Sequence, residues 1–175
     1  TADVSISLSS SDPTEGVAAP ASLTFTAGNW NVPQTVTVTG VDDAVVDGTV
    51  GYLIVTSAAT STDPAYSGLA VTDVAVSTTD NDAGGITVSP TSGLVTTEGG
   101  GSATFTVVLR SQPTATVTVG LSSSDPTEGT VAPASLTFTS ANWSTPQTVT
   151  VSGINDALVD GDVTYTIVTA AAVSG

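Results

Sequence analysis

The sequence predicts an all-β protein made of antiparallel β-sandwiches in tandem, and three observations carry that prediction. Apolar residues alternate with Thr and Ser at a period of two along most of the chain. Clusters of Asp, Pro, Gly and Asn interrupt the alternation at short intervals, as turns between short antiparallel strands do. The nine residues Leu8–Gly16 recur unchanged at Leu121–Gly129, an offset of 113 residues (121 minus 8). No window carries an apolar period of 3.6, and β-branched Val and Thr suit strands.

In chain order, Val4, Ile6 and Leu8 share one face of a first strand, and Leu23 with Phe25 marks the next. Val36 and Val38, then Val50 and Tyr52, continue the alternation, and Ala70–Thr78 reads as a further strand. Ile86–Ser89 and Ala103–Leu109 follow, the latter with Phe105, Val107 and Leu109 on one face and Thr104 and Thr106 on the other. Val117, Val119 and Leu121 match the first strand. Leu136 with Phe138, Val149 with Val151, and Val163, Tyr165 and Ile167 complete the series.

The offset also carries Trp30 onto Trp143, Pro33 onto Pro146, Asp47 onto Asp160 and Tyr52 onto Tyr165, so residues 1–62 are repeated, with changes, by residues 114–175. A domain-sized period implies beads on a string. The expected units are 1–83, lacking its first two strands, and 84–175, lacking its last. That points to a window on a longer polypeptide, with neighbouring repeats of the same or another chain as partners. Edges left open in this way also suit strand complementation between chains in a self-assembling fibre.

Sixteen acids face a single base, Arg110, and the chain has no Lys, His, Cys or Met, for a net charge of −15. Regular apolar alternation argues against disorder. Nucleic acid and anionic membranes are poor partners without Lys and Arg. No apolar run is long enough to insert in a membrane, and no disulfide is possible. The composition suggests an extracellular or cell-surface protein. Without His, Cys or Lys, and with no G-x-S-x-G elbow, no enzyme is expected.

The natural counter-charge is a cation. Loops joining alternate strands of a sandwich gather at one end. In the second unit those loops carry Glu98, then Asp125 and Glu128, then Asp156 and Asp160. The first-unit set is Asp12, Glu15, Asp42, Asp43 and Asp47, joined by Asp80 and Asp82 after its last strand. Carboxylates brought together raise one another's pKa unless a cation intervenes. One Arg cannot compensate both units. Ca²⁺, with its many oxygen ligands, fits better than Mg²⁺; the EF-hand pattern is absent, and Zn²⁺ is disfavoured without Cys or His.

Four motifs in order resemble the Calx-beta domain family. Thr97–Val107, Thr-Glu-Gly-Gly-Gly-Ser-Ala-Thr-Phe-Thr-Val, is similar to its "EGDG…ATFTV" start. Ser124–Gly129 followed by Ala134–Phe138 resembles a "DGTA"-like loop before a "GTLTF" strand. Val41–Gly48 resembles "I-D-D-x-x-x-E-G", and Thr79–Gly84 resembles "DDD-x-A-G". The resemblance spans essentially the whole chain as partial units. It implies an immunoglobulin-like β-sandwich that binds Ca²⁺ through loops at one end, as in large bacterial adhesins. Here Asn155 stands at one acidic position, and Asp47 and Asp160 replace a Glu.

Other features have plainer readings. Threonine rows such as Thr35, Thr37 and Thr39 form the polar face of an amphipathic strand. Trp30 and Trp143 are expected to plug the ends of the sandwich rather than stack on sugars, and Tyr52 and Tyr165 to bond backbone through their hydroxyls. The function expected is a Ca²⁺-stabilised stalk or filament in adhesion or matrix. The alternative is a β-sandwich module that binds a glycan, protein or other cell-surface ligand.

Overall fold

The computed structural model describes residues 2–159 and 161–175. It is all-β, with antiparallel sheets and no helix among the described residues. The chain divides into two compact units: Thr1–Asp43 with Asp47–Asn81, and Ala44–Val46 with Asp82–Gly175.

The first unit contains β1 (Val4–Ser10), β2 (Gly16–Ala19), β3 (Ser22–Phe25), β4 (Thr37–Gly40), β5 (Val50–Thr56), β6 (Thr60–Ser61) and β7 (Val74–Thr78). One sheet has the order β3-β1-β5-β7, with β6 also on β1, and β2 pairs β4 separately. Ile6 stands opposite Leu23 and Val4 opposite Phe25, so the apolar alternation of both strands falls on one face. Among the described residues its buried apolar side chains are few: Tyr52, Ile54 and Ala59.

The second unit contains β8 (Ile86–Ser89), β9 (Ser102–Leu109), β10 (Val117–Ser123), β11 (Gly129–Ala132), β12 (Ser135–Phe138), β13 (Gln147–Gly153), β14 (Ile167–Thr169) and β15 (Val173–Ser174). Sheet order is β12-β10-β14, with β15 also on β10, and β11-β13-β9-β8. Phe105, Val107 and Leu109 of β9 and Val149 and Val151 of β13 bury against Val119, Leu121, Leu136 and Phe138 of β10 and β12. Both sheets thus feed one core, which makes this unit a sandwich.

The same pairings recur at the 113-residue offset. Val4 opposite Phe25 matches Val117 opposite Phe138. Leu8 opposite Thr56 matches Leu121 opposite Thr169, and Gly16 opposite Gly40 matches Gly129 opposite Gly153.

Where the strands differ from expectation, a pairing partner accounts for it. Val36 lies outside β4, whereas its counterpart Val149 lies in β13, which has β9 along its second edge. Val163 and Tyr165 are not in a strand, whereas Val50 and Tyr52 are, opposite β7. The strand expected over Ala70–Thr78 begins only at Val74; before it, Asp73 Oδ1 accepts the Thr56 N–H at 2.8 Å. The short strands β2, β6, β11 and β15 carry too little alternation to be read from sequence. Tyr165 bonds a side chain rather than backbone, its hydroxyl lying 2.6 Å from Thr96 Oγ1. Trp143 packs on the second core as expected, but Trp30 is 71% exposed.

Candidate metal centre

The site in the first unit is built from a tight turn, a strand start and two loops. Asp12 begins the turn: its carbonyl accepts the N–H groups of Glu15 and Gly16 at 3.2 and 3.1 Å. Its carboxylate caps the same turn, with Oδ1 accepting both the N–H and the hydroxyl of Thr14. This places Glu15 directly ahead of β2. The Glu15 carbonyl then accepts the Val41 N–H and the Thr78 hydroxyl, each at 2.9 Å, which ties it to the loop after β4 and the end of β7.

A second anchor holds the loop before β5. Asp80 Oδ2 accepts the N–H groups of Asp47 and Gly48 at 3.1 and 2.9 Å. Gly48 has φ of +78°, a conformation that side chains other than glycine's rarely adopt. Together these contacts bring carboxylate oxygens of Glu15, Asp43 and Asp47 within 4.8 Å of one another. Glu15 is 9% exposed, while both aspartates are open to solvent.

The electrostatics follow from that packing. Burial pushes the Glu15 pKa above its ordinary value, and the charges of Asp47, Asp12, Asp43 and Asp80 push it the same way. Asp12 is shifted down, chiefly because the Thr14 hydroxyl bonds its charged form. No Lys, Arg or His occurs in residues 1–81. Three hard oxygen donors gathered this closely could hold a metal ion.

The remaining expected ligands are placed as follows. Asp42 is exposed beside Asp43 but outside the trio. Asp82 belongs to the second unit and is half-buried. There, Asp125 repeats the Asp12 turn, its Oδ1 accepting the Thr127 hydroxyl and, at 3.0 Å, the Thr127 N–H; its pKa is likewise held down, by the hydroxyl first. Glu128 is half-buried, and its carbonyl accepts the Ile154 N–H at 2.9 Å. Asp156 Oδ1 accepts the Leu158 N–H at 2.8 Å. Glu98 lines an open hollow with Gly99, Gly100, Gly153, Ile154 and Asn155. The counterpart of the trio is Glu128, Asp156 and Asp160, of which Asp160 lies outside the described residues.

Sequence reading named all three members of the trio but missed the residues that position them, Thr14, Thr78 and Gly48. Asp12-Pro13-Thr14 is a readable turn signal. Thr78 has no comparable signal, because its role depends on β7 ending beside β2.

No family model matches the chain, and no curated protein matches it. Among solved structures the chain is similar to that of the surface layer protein SbsC, domains 1–6, with 18% sequence identity and a TM-score of 0.33. The match covers 94% of this chain and 19% of that one, so this chain spans about a fifth of the length of the chain it matches.

Proposed function

We propose that this chain is a Ca²⁺-stabilised structural segment of a large extracellular bacterial protein, of Calx-beta type, acting as stalk or filament in adhesion or matrix. The observation that carries the reading is Glu15, buried against Asp43 and Asp47 in a unit without a basic side chain. Three carboxylates this close raise the cost of ionising one another, whereas a cation bound by them stabilises the folded unit. Glu15, Asp43 and Asp47 would hold the ion. Oxygen donors alone favour Ca²⁺, which extracellular calcium modules bind at ~10⁻⁴–10⁻³ M. The bound ion would lock the Asp12 turn, the loop after β4 and the Asp47 loop together, so its work is mechanical. No catalytic role is assigned, in keeping with the absence of His, Cys and Lys.

Calorimetric titration with Ca²⁺, paired with thermal unfolding, tests the reading. Uptake at millimolar concentration with a raised Tm is expected, and Glu15→Gln should abolish most of both. At a free ion concentration a hundredfold above Kd, the gain is ~2.7 kcal/mol. Absence of uptake at millimolar Ca²⁺, with Tm unmoved, would overturn it.

A further inference from the structure

The chain passes out of the first unit after Asn81, so a pull transmitted along the polypeptide enters that unit through the segment that follows β7. β7 is five residues long and is held against β5 from Thr78 opposite Val50 to Val74 opposite Ile54. It runs from Val74 towards the exit, so Thr78 is the end that takes the load. Two side chains fasten this end. The Thr78 hydroxyl donates to the Glu15 carbonyl at 2.9 Å, and its Cγ2 lies beside Gly40, the last residue of β4. Two residues on, Asp80 Oδ2 accepts the N–H groups of Asp47 and Gly48 at 3.1 and 2.9 Å. Glu15 directly precedes β2, which pairs β4, whereas Asp47 and Gly48 lie on the loop that enters β5. The exit of β7 is thus tied to elements of both sheets of the unit.

We propose that Thr78 and Asp80 form a latch that keeps β7 seated when the chain is under tension, so that these side-chain bonds set the rate at which the strand detaches. Position along the chain carries the inference. A pull arriving from residue 82 meets the Asp80 bonds first, the Thr78 bond next, and the pairs with β5 only afterwards. Local opening starts where few contacts hold the backbone, and a short strand frays from its end. The latch adds three hydrogen bonds at the end that carries the load. The proposal rests on the mechanical part of the proposed function and not on the ion, since every bond in the latch joins protein atoms.

The chain has no Cys, so introduced cysteines can serve as the sole handles for single-molecule pulling on all 175 residues. With Ala2→Cys and Gly84→Cys, the latter at a position with open space for a side chain, the load passes through the exit of β7. With Ala2→Cys and Thr62→Cys, at an exposed loop position, it bypasses β7. At constant force in chelator, Thr78→Val combined with Asp80→Ala should speed the first extension step at least ~10-fold in the first geometry, as the loss of three hydrogen bonds implies. In the second geometry the first step should keep the parent's rate. Thr78→Ser combined with Asp80→Asn, which keeps a hydroxyl and an oxygen acceptor, should restore the parent's rate in the first. A latch effect seen in chelator supports the proposal whether or not millimolar Ca²⁺ slows the step further, so the ion reading stands or falls separately. Equal rates for parent and double variant through β7, or equal acceleration in both geometries, would overturn it. If the double variant does not fold, Thr78→Val alone, read against Thr78→Ser, gives the same two outcomes.

Discussion

The ring of Tyr52 lies directly over the Cα of Gly16, so that a Cβ added there would overlap the phenol. The relationship recurs between Tyr165 and Gly129. It joins β2 of one sheet to β5 of the other within the first unit, one residue after Glu15. Glycine is needed here for close approach, because its backbone φ is not positive.

Gly16→Ala should therefore destabilise the first unit. Tyr52 is 6% exposed, so its ring is enclosed by the fold. Overpacking of this kind costs about 1–3 kcal/mol. Because the displaced strand start carries Glu15, Ca²⁺ affinity should fall too. Gly129→Ala should be milder, since Tyr165 is only half-buried. Urea unfolding of both variants measures the difference; an unchanged midpoint for Gly16→Ala would refute the packing argument.

The Glu15 shift predicts a pH dependence with a definite sign. Its folded pKa is raised above the ordinary 4.5, so the native state binds the proton more tightly than the unfolded chain. The associated stability is fully present below the unfolded value and is lost as pH rises through the folded one. Metal-free protein should accordingly lose stability as pH rises from about 4.5 towards neutral. Glu15→Gln should flatten that slope and raise metal-free stability at pH 7, while removing the gain from Ca²⁺. Unfolding curves at a series of pH values in chelator decide it; a metal-free variant no more stable than the parent at pH 7 contradicts the argument.

Asp12 and Asp125 carry the opposite sign. Both pKa values are lowered, first by the hydroxyls of Thr14 and Thr127. Their stabilisation is present above the unfolded value of 3.8 and is lost as pH falls through the folded values. Thr14→Val and Thr127→Val should each raise the neighbouring Asp pKa, read by carboxyl-carbon NMR titration, and lower stability at neutral pH. The deficit should vanish in strong acid, where the parent carboxylates are protonated too.

Much of this was legible from residue order, and the part that was not has a common cause. Alternation along Ser102–Leu109 and Val117–Ser123 identified both strands, because each is buried on one face and keeps period two. Val36 shows the same pattern yet is not in a strand, since strand length there depends on a neighbour that periodicity does not reveal. The acids separate in the same way. Glu15, Asp43 and Asp47 stood out by type and loop position. That Glu15 would be the buried member follows from Val41 and Thr78 closing on its carbonyl, long-range contacts with no local signature. Trp30 and Trp143 occupy matching loops with opposite exposures, so residue type decided neither.

Asp80 supplies the most discriminating test of how the site is held. It accepts two N–H groups from the Asp47 loop, and its charge also raises the Glu15 pKa. These roles predict different results. If Asp80 acts as a positioning residue, Asp80→Asn keeps an oxygen acceptor for Asp47 and Gly48 and should preserve most Ca²⁺ affinity, whereas Asp80→Ala should lose roughly 10–100-fold, as outer-shell losses do. If charge alone mattered, the two variants would weaken binding equally. Because a carboxylate accepting two backbone N–H groups orders the loop before any ion arrives, the expected result is a clear separation, with Asp80→Asn close to the parent. Calorimetric Kd values for the three chains, with exchange rates of the Asp47 and Gly48 amides in chelator, provide the measurement; Asp80→Ala amides should exchange fastest.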